Sequence, residues 1–358
     1  MRQLNHTMKY ILTALFICFP LFANSAEHEE GDFDVKKLIL DHVADAYDWH
    51  ILTLDNKHIS IPLPIIVKGQ ESGWHVFLSS RFHHGHETYN GFYIAQEGKY
   101  DGKIVESVGN EEVRPWDFSI TKNAASLILS SIVIVILILH CAQYYRKRKN
   151  NPEKVSPSGF IAFVELTIMS VVDGVIKPCI GKNYKRYTPY LLTVFFFIIF
   201  DNFLGLIPIF PGGANVTGNI AVTVVLALFT FVIVNIYGTK EYWREIFWPD
   251  VPIWLKAVPI MPAIELVGVF TKPFALMIRL FANILAGHAM VLGLICVIFL
   301  TVKLGPAMNA GMTLLSVIMT IFIDCVELLV AYIQAYVFTM LSAVFIGLSQ
   351  VEPHHVKN

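Results

Sequence analysis

The sequence predicts an all-α polytopic membrane protein of about five transmembrane helices, two of them long and slanted. A small N-terminal extramembrane domain with β structure precedes them. Three observations predict this. Of 358 residues, 55% are hydrophobic and only 15% charged, against about 25% charged in a soluble domain. The long apolar runs fall almost entirely after the first third of the chain. The last two runs are each about twice the length a bilayer needs. A soluble enzyme, a disordered chain and a disulfide scaffold are excluded as whole-chain descriptions. The net charge of −1 offers no basic field for nucleic acid. The five cysteines share no CxxC spacing and read as small buried hydrophobes, so no metal or cofactor site is expected of them.

Residues 1–26 have a secretory signal layout. Arg2 and Lys9 precede the apolar stretch Tyr10 to Phe22, and Ala23-Asn24-Ser25-Ala26 forms a small-residue cleavage site. Residues 27–118 are then expected to be translocated. Asp32 to Asp48 has a helical rhythm, carried by Leu38, Ile39, His42, Val43 and Ala46. Short β-type runs follow at Ile59 to Val67, Trp74 to Ser80, Gly91 to Ala95 and Lys103 to Val108. His83, His84 and His86 cluster beside Glu87, but no second cluster completes a ligand set, so a solvated loop is the expectation.

The transmembrane core is expected over 119–350, with a cytoplasmic tail at 351–358. Ala124 to His140 is long enough to span and ends at Arg146-Lys147-Arg148-Lys149. Basic residues stay inside, so this helix enters from outside, in agreement with the signal. Phe160 to Ile176 is interrupted by Glu165 and Asp173 and reads as an interfacial or hairpin helix on the cytoplasmic side. Tyr190 to Pro208 returns outward. The loop Phe210 to Asn219 carries no Lys or Arg, as an external loop should. Ile220 to Tyr237 comes back in, and Lys240, Arg244 and Lys256 mark the next cytoplasmic loop. Pro262 to Thr301 and Pro306 to Ser349 remain. No strong turn signal splits either, so each reads as one slanted helix, joined at Lys303-Leu304-Gly305-Pro306. The N-terminus lies outside and the C-terminus inside.

These last two runs carry Glu265, Lys272, Arg279, Asn283 and His288, then Asp324, Glu327 and Gln334. A charge at a helix centre costs about 2.5–3.5 kcal/mol on insertion scales, so such residues mark ion paths. Arg279 and Glu327 sit too close to their helix centres to snorkel. At about 100° per residue Asn283 shares the face of Arg279, as does Glu265 about 21 Å toward the inside, whereas His288 lies opposite. Asp324, Glu327 and Gln334 line one stripe of the second helix. An alternative is that Arg279 and Glu327 merely form a buried ion pair between helices.

The run Lys272-Pro273-Phe274-Ala275-Leu276-Met277-Ile278-Arg279-Leu280-Phe281-Ala282-Asn283-Ile284-Leu285-Ala286-Gly287-His288 resembles the signature of subunit a of the F-type ATP synthase. Ile333-Gln334-Ala335-Tyr336-Val337-Phe338 resembles that family's last-helix motif, and Asp201-Asn202-Phe203-Leu204-Gly205-Leu206-Ile207-Pro208 its third helix. The resemblance covers about residues 120 to 350 and leaves 27–118 largely uncovered. It implies a non-catalytic, proton-conducting stator. Arg279 matches the essential arginine that faces the carboxylates of a rotating c-subunit ring. Asn283 and Gln334 match polar residues near it, Glu265 an acidic residue of the cytoplasmic half-channel, and Asn219 an asparagine of the preceding helix. His288 and Glu327 occupy positions that hold Glu and His in many members, so the pair is interchanged here. With Asp324 they would form the outer path. The implied partners are the c ring, the b-subunit peripheral stalk and the rest of the complex, in the bacterial inner membrane among lipid. No GxxxxGK[ST] loop is present, so the chain itself is not expected to hydrolyse ATP. A secondary ion transporter is the alternative, although no internal repeat is visible.

Overall fold

The computed structural model describes residues 44–54, 57–70, 72–85, 87–96, 98–108, 111–149, 159–207, 212–248 and 260–350, together with Val35 and Pro157. The expected signal, most of the expected helix over Asp32 to Asp48, His86, Phe210, Lys256 and the tail lie outside them. The side chains of His83 and His84 do so as well.

Among the described residues the N-terminal region has eight short strands: β1 Asp48–Leu54, β2 Lys57–Pro62, β3 Pro64–Lys68, β4 Trp74–Leu78, β5 Phe92–Ile94, β6 Ile104–Val108, β7 Glu111–Val113 and β8 Trp116–Asp117. They pair antiparallel in three small sheets, ordered β1-β2, β4-β3-β8 and β5-β6-β7. Residues 44–48 are not helical, and Asp48 already opens β1. The apolar run from Ile59 to Val67 is two strands in different sheets rather than one. Pro62 and Pro64 flank Leu63, and neither can donate to a ladder, so pairing breaks there. Alternation along β3 buries Ile65 and Val67, which pack with Tyr47, Phe82, Phe92 and Ile104. The buried hydroxyl of Tyr47 donates to Asp117 at 2.5 Å, tying the start of the domain to its end. Burial and this carboxylate push the Tyr47 phenol well above its ordinary value.

The other described residues are mainly helical. Helix α1 spans Lys122–Lys149 and α2 spans Phe160–Val171. A π turn over Val172–Ile176 leads to the short α3, Lys177–Ile180. Then follow α4 Tyr184–Leu206, α5 Ile220–Ile236, α6 Lys240–Phe247, α7 Ile260–Thr301 and α8 Pro306–Ser349. Among the described residues four runs are long and apolar enough to cross a membrane, and the count is five when the bent pair α5–α6 (98°) is taken as one span. Both terminal helices are continuous over 42 and 44 residues, so neither is a hairpin. The turn between them places Gly305 at φ 102°, a conformation that glycine adopts without a Cβ clash, with Pro306 starting α8.

Helices in lipid gain no hydrophobic free energy from meeting each other, so close van der Waals approach decides their pairing. Helix α8 meets this demand with Ala331, Ala335, Thr339, Ala343 and Gly347, spaced four apart on one face. This stripe lies against α4 and α3, where the carbonyl of Cys179 abuts Gly347. Around it pack Leu191, Phe195, Ile198, Leu276, Leu280 and Phe338. The ends of the bundle are pinned separately. The backbone N–H of Thr239 donates to Ser349 at one end. At the other, the indole of Trp49 donates to the carbonyl of Gly212 at 3.2 Å, which docks the β domain on the loop before α5.

Candidate functional site

The site lies where α4, α7 and α8 meet. The stripe of small residues on α8 continues one turn back from Ala331 to Glu327, so α7 approaches α8 closely there. Gly287 makes the approach feasible: a Cβ on it would stand 2.7 Å from a Glu327 carboxylate oxygen. Beside Gly287, the Nδ1 of His288 lies 3.5 Å from Oε1 of Glu327. The Glu327 side chain is 5% exposed and that of His288 19%. The separation is an ion-pair distance, too long for a strong direct hydrogen bond.

Gly287→Ala is therefore expected to push the Glu327 carboxylate off His288, at about 1–3 kcal/mol of overpacking. Proton flux through reconstituted protein should fall while helix content, read by circular dichroism, stays unchanged. Unaltered flux would show that the carboxylate position is unimportant.

Arg279 is exposed on the opposite face of α7 from His288, with Asn283 exposed one turn away. Among the described residues no carboxylate pairs with Arg279, and Glu327 pairs with His288 instead. The alternative of a buried Arg279–Glu327 pair is thereby excluded. An arginine that stays protonated on the outer face of a membrane-length helix calls for an anionic partner from outside the chain.

The second-helix stripe divides. Glu327 and Gln334 are buried, whereas Asp324 is exposed. The physical reason is rotation: the three-residue step from Asp324 turns it about 60° off the face that α4 and α7 cover. The antiparallel register set by Gly287–Glu327 and by the Thr301–Asn309 hydrogen bond puts Gln334 within about one turn of the level of Arg279. Glu265 is exposed near the start of α7, close to Tyr242 of α6. Asn219 is apart from all of these. It caps α5, its side-chain oxygen accepting from the N–H of Ala221 at 3.0 Å.

Helix α4 adds polar groups that a reading for charges in the two longest runs passes over. Asp201 and Asn202 are 1% and 3% exposed. The Asn202 amide donates to the carbonyl of Ala331, one turn beyond Glu327, and its oxygen accepts from Thr217 at 2.6 Å. The signal was an acid and an amide directly after the run Phe195 to Phe200. At Gly205, one turn on, an added Cβ would lie 3.7 Å from Nε2 of His288. Thus α4 covers His288 from one side while Glu327 faces it from the other. The arrangement holds an imidazole and a carboxylate in contact inside the bundle and an unpaired guanidinium outside it.

Comparison with known proteins gives two family matches. The model described as ATP synthase A chain matches residues 127–347. One described as a domain of unknown function (DUF8433) matches residues 38–118. A protein named ATP synthase subunit a from Chlorobium phaeobacteroides (strain DSM 266 / SMG 266 / 2430) is 41% identical over 247 residues, covering 67% of this chain and 68% of its own. ATP synthase subunit a 2 of Chlorobaculum tepidum is 42% identical over 247 residues, 66% of this chain and 65% of its own. ATP synthase subunit a of Myxococcus xanthus is 42% identical over 247 residues, 67% of this chain and 75% of its own.

Proposed function

The chain belongs to the ATP synthase A chain family, and from that premise we propose that α7 and α8 divide a proton path into two half-channels that meet at a ring of c subunits. It is a component of the ATP synthase, the proton-translocating stator of its membrane sector. The observation that carries the two-channel reading is the split of polar groups across α7, with Arg279 and Asn283 exposed on one face and His288 held against Glu327 on the other.

In this reading a proton from outside reaches the His288–Glu327 pair. Imidazole accepts it on one nitrogen and releases it from the other, or the carboxylate takes it directly. It then passes to a carboxylate on a neighbouring c subunit, which becomes neutral and enters lipid. After nearly a full turn that carboxyl reaches the inner path near Glu265 and releases the proton. Arg279 stands at the divide. It attracts the ionised carboxylate but never gives up its own proton, so it separates the two paths.

The chain itself is non-catalytic. Its partners are the c ring, the b-subunit stalk and the peripheral ATPase. The membrane is the bacterial inner membrane, with residues 1–26 a signal, 27–118 outside, 119–350 the membrane core and 351–358 cytoplasmic. Two contacts support this sidedness. Trp49 touches the loop at Gly212, and both belong to segments assigned outside on charge; Thr239 touches Ser349, and both lie in segments assigned inside.

Purification of the tagged chain from mild detergent is expected to bring down the c ring and an ATPase. Recovery of the chain alone, with ion transport intact, would favour a secondary transporter.

A further inference from the structure

The sheet β4-β3-β8 presents apolar side chains on both faces. Its inner face buries Ile65 and Val67 in the core of the β domain. Side chains alternate along a strand, so the neighbouring positions form the outer face. The register sets Trp74, Lys68 and Trp116 abreast in one row. Val76 lies opposite Ile66, whose carbonyl accepts from the N–H of Phe118 at 2.9 Å, and these three make the next row. Leu78, Pro64 and Ile120 make the last, with the Ile120 N–H donating to the Pro64 carbonyl at 3.1 Å. Every side chain in this array is apolar except Lys68, a cation. Trp116 and Val76 are each 71% exposed and Trp74 is 60% exposed. The surface is connected: the rings of Trp74 and Phe118 are 5.8 Å apart, and Nζ of Lys68 lies 5.7 Å from the centre of the Trp74 ring.

An antiparallel sheet that meets water on one side carries polar residues there. A contiguous apolar face marks a surface that something else covers. Lipid is close at hand. Phe118 is four residues before Lys122, where α1 begins, so it lies within about 14 Å of the helix start. From there α1 turns Ile128, Ile132 and Ile136 outward along a run of membrane length. The β domain is also held at a fixed height. The carbonyl of Ala46 accepts from the Lys122 N–H at 2.8 Å, Asp45 accepts from the Asn123 N–H at 3.0 Å, and Trp49 is docked on Gly212.

The residue types suit the boundary between water and hydrocarbon. Tryptophan collects at headgroup level because its ring is apolar and its N–H is not. Lysine reaches a lipid phosphate while its stem stays on apolar surface. We propose that the outer face of β4-β3-β8 rests in the headgroup region of the leaflet in which α1 begins, with Lys68 on a lipid phosphate and Trp74 and Trp116 among the upper acyl groups. The β domain is then an interfacial anchor beside α1, and not only a domain docked on the bundle. Shallow burial of this kind needs no spanning segment. The contacts to α1 and Gly212 hold the face ready, so little ordering is lost when lipid covers it. The proposal requires only that α1 crosses a bilayer, so it stands or falls apart from the proton path.

The test uses the assembled complex in phosphatidylcholine liposomes, with iodide supplied on both sides. Subtracting the tryptophan emission of the double variant Trp74→Phe with Trp116→Phe from that of the unaltered complex isolates these two side chains. Phenylalanine keeps an aromatic ring at each exposed position, so the fold should be unchanged. The difference emission is expected at short wavelength. Lipids brominated high on the acyl chain should quench it several-fold more than iodide does. Emission at long wavelength, quenched by iodide and untouched by brominated lipid, would place the face in water and overturn the inference. Short-wavelength emission that neither agent quenches would show protein covering the face, and would overturn it equally. If the double variant fails to assemble, Trp116→Phe alone gives the same three outcomes at the edge strand β8.

Discussion

Arg279→Ala is expected to abolish coupled ATP synthesis and ATP-driven proton pumping. In the assembled complex the peripheral ATPase should still turn over, because no catalytic group is touched. The effect is large because two roles end together. The fixed positive charge that draws an ionised ring carboxylate is lost, and so is the barrier between half-channels. Each proton carries about 2.3 kcal/mol per 100 mV of membrane potential, and without the barrier that free energy drains through a leak. Arg279→Lys should not rescue coupling. An ammonium in a poorly hydrated site gives up its proton far more readily than a guanidinium does, so it is a weak divider. The measurement is acidification of inverted vesicles on ATP addition, beside the ATPase rate. Normal acidification in Arg279→Ala would end the reading of Arg279 as the divider.

Glu327→Gln should lower proton flux on the order of 10²-fold, the scale of losing a placed proton-transfer group. Asp324 is not expected to substitute. It is exposed, whereas Glu327 is buried against Gly287 and His288. The double variant with Asp324→Asn should therefore be little worse than Glu327→Gln alone. Exchanging the pair as His288→Glu with Glu327→His should recover much of the flux, since each helix still contributes one of the two groups at the same contact. Flux is read in reconstituted complex under an imposed potential. Unchanged flux in Glu327→Gln would remove the pair from the path, and an exchange variant as poor as the single change would show that the order of the groups matters.

Much of the architecture was legible in one dimension. The continuity of α7 and α8 followed from apolar runs with no strong turn signal before Gly305, and the structure keeps both whole. The opposition of Arg279 and His288 followed from helical angle alone. The β domain was less legible. Strand identity there depends on partners far along the chain, as where Val67 meets Asp117, and on Pro62 and Pro64 ending a ladder inside an apolar run. The small-residue stripe from Ala331 to Gly347 stands in the sequence too, at a four-residue interval, but its meaning depends on which helix lies against it.

The sequence by itself determined the solvent of this protein, the length of its two long helices and which charges are too deep to be incidental. Run length and the cost of a buried charge are properties of a single segment, and need no knowledge of neighbours. Tertiary structure alone decided what each deep charge meets. Glu327 faces His288 because Gly287 lets α7 in, Arg279 faces out because the same close packing turns it away, and Asp201 faces Ser130 of α1. Those outcomes depend on helix rotation and on contact between segments many residues apart, which packing fixes and periodicity does not.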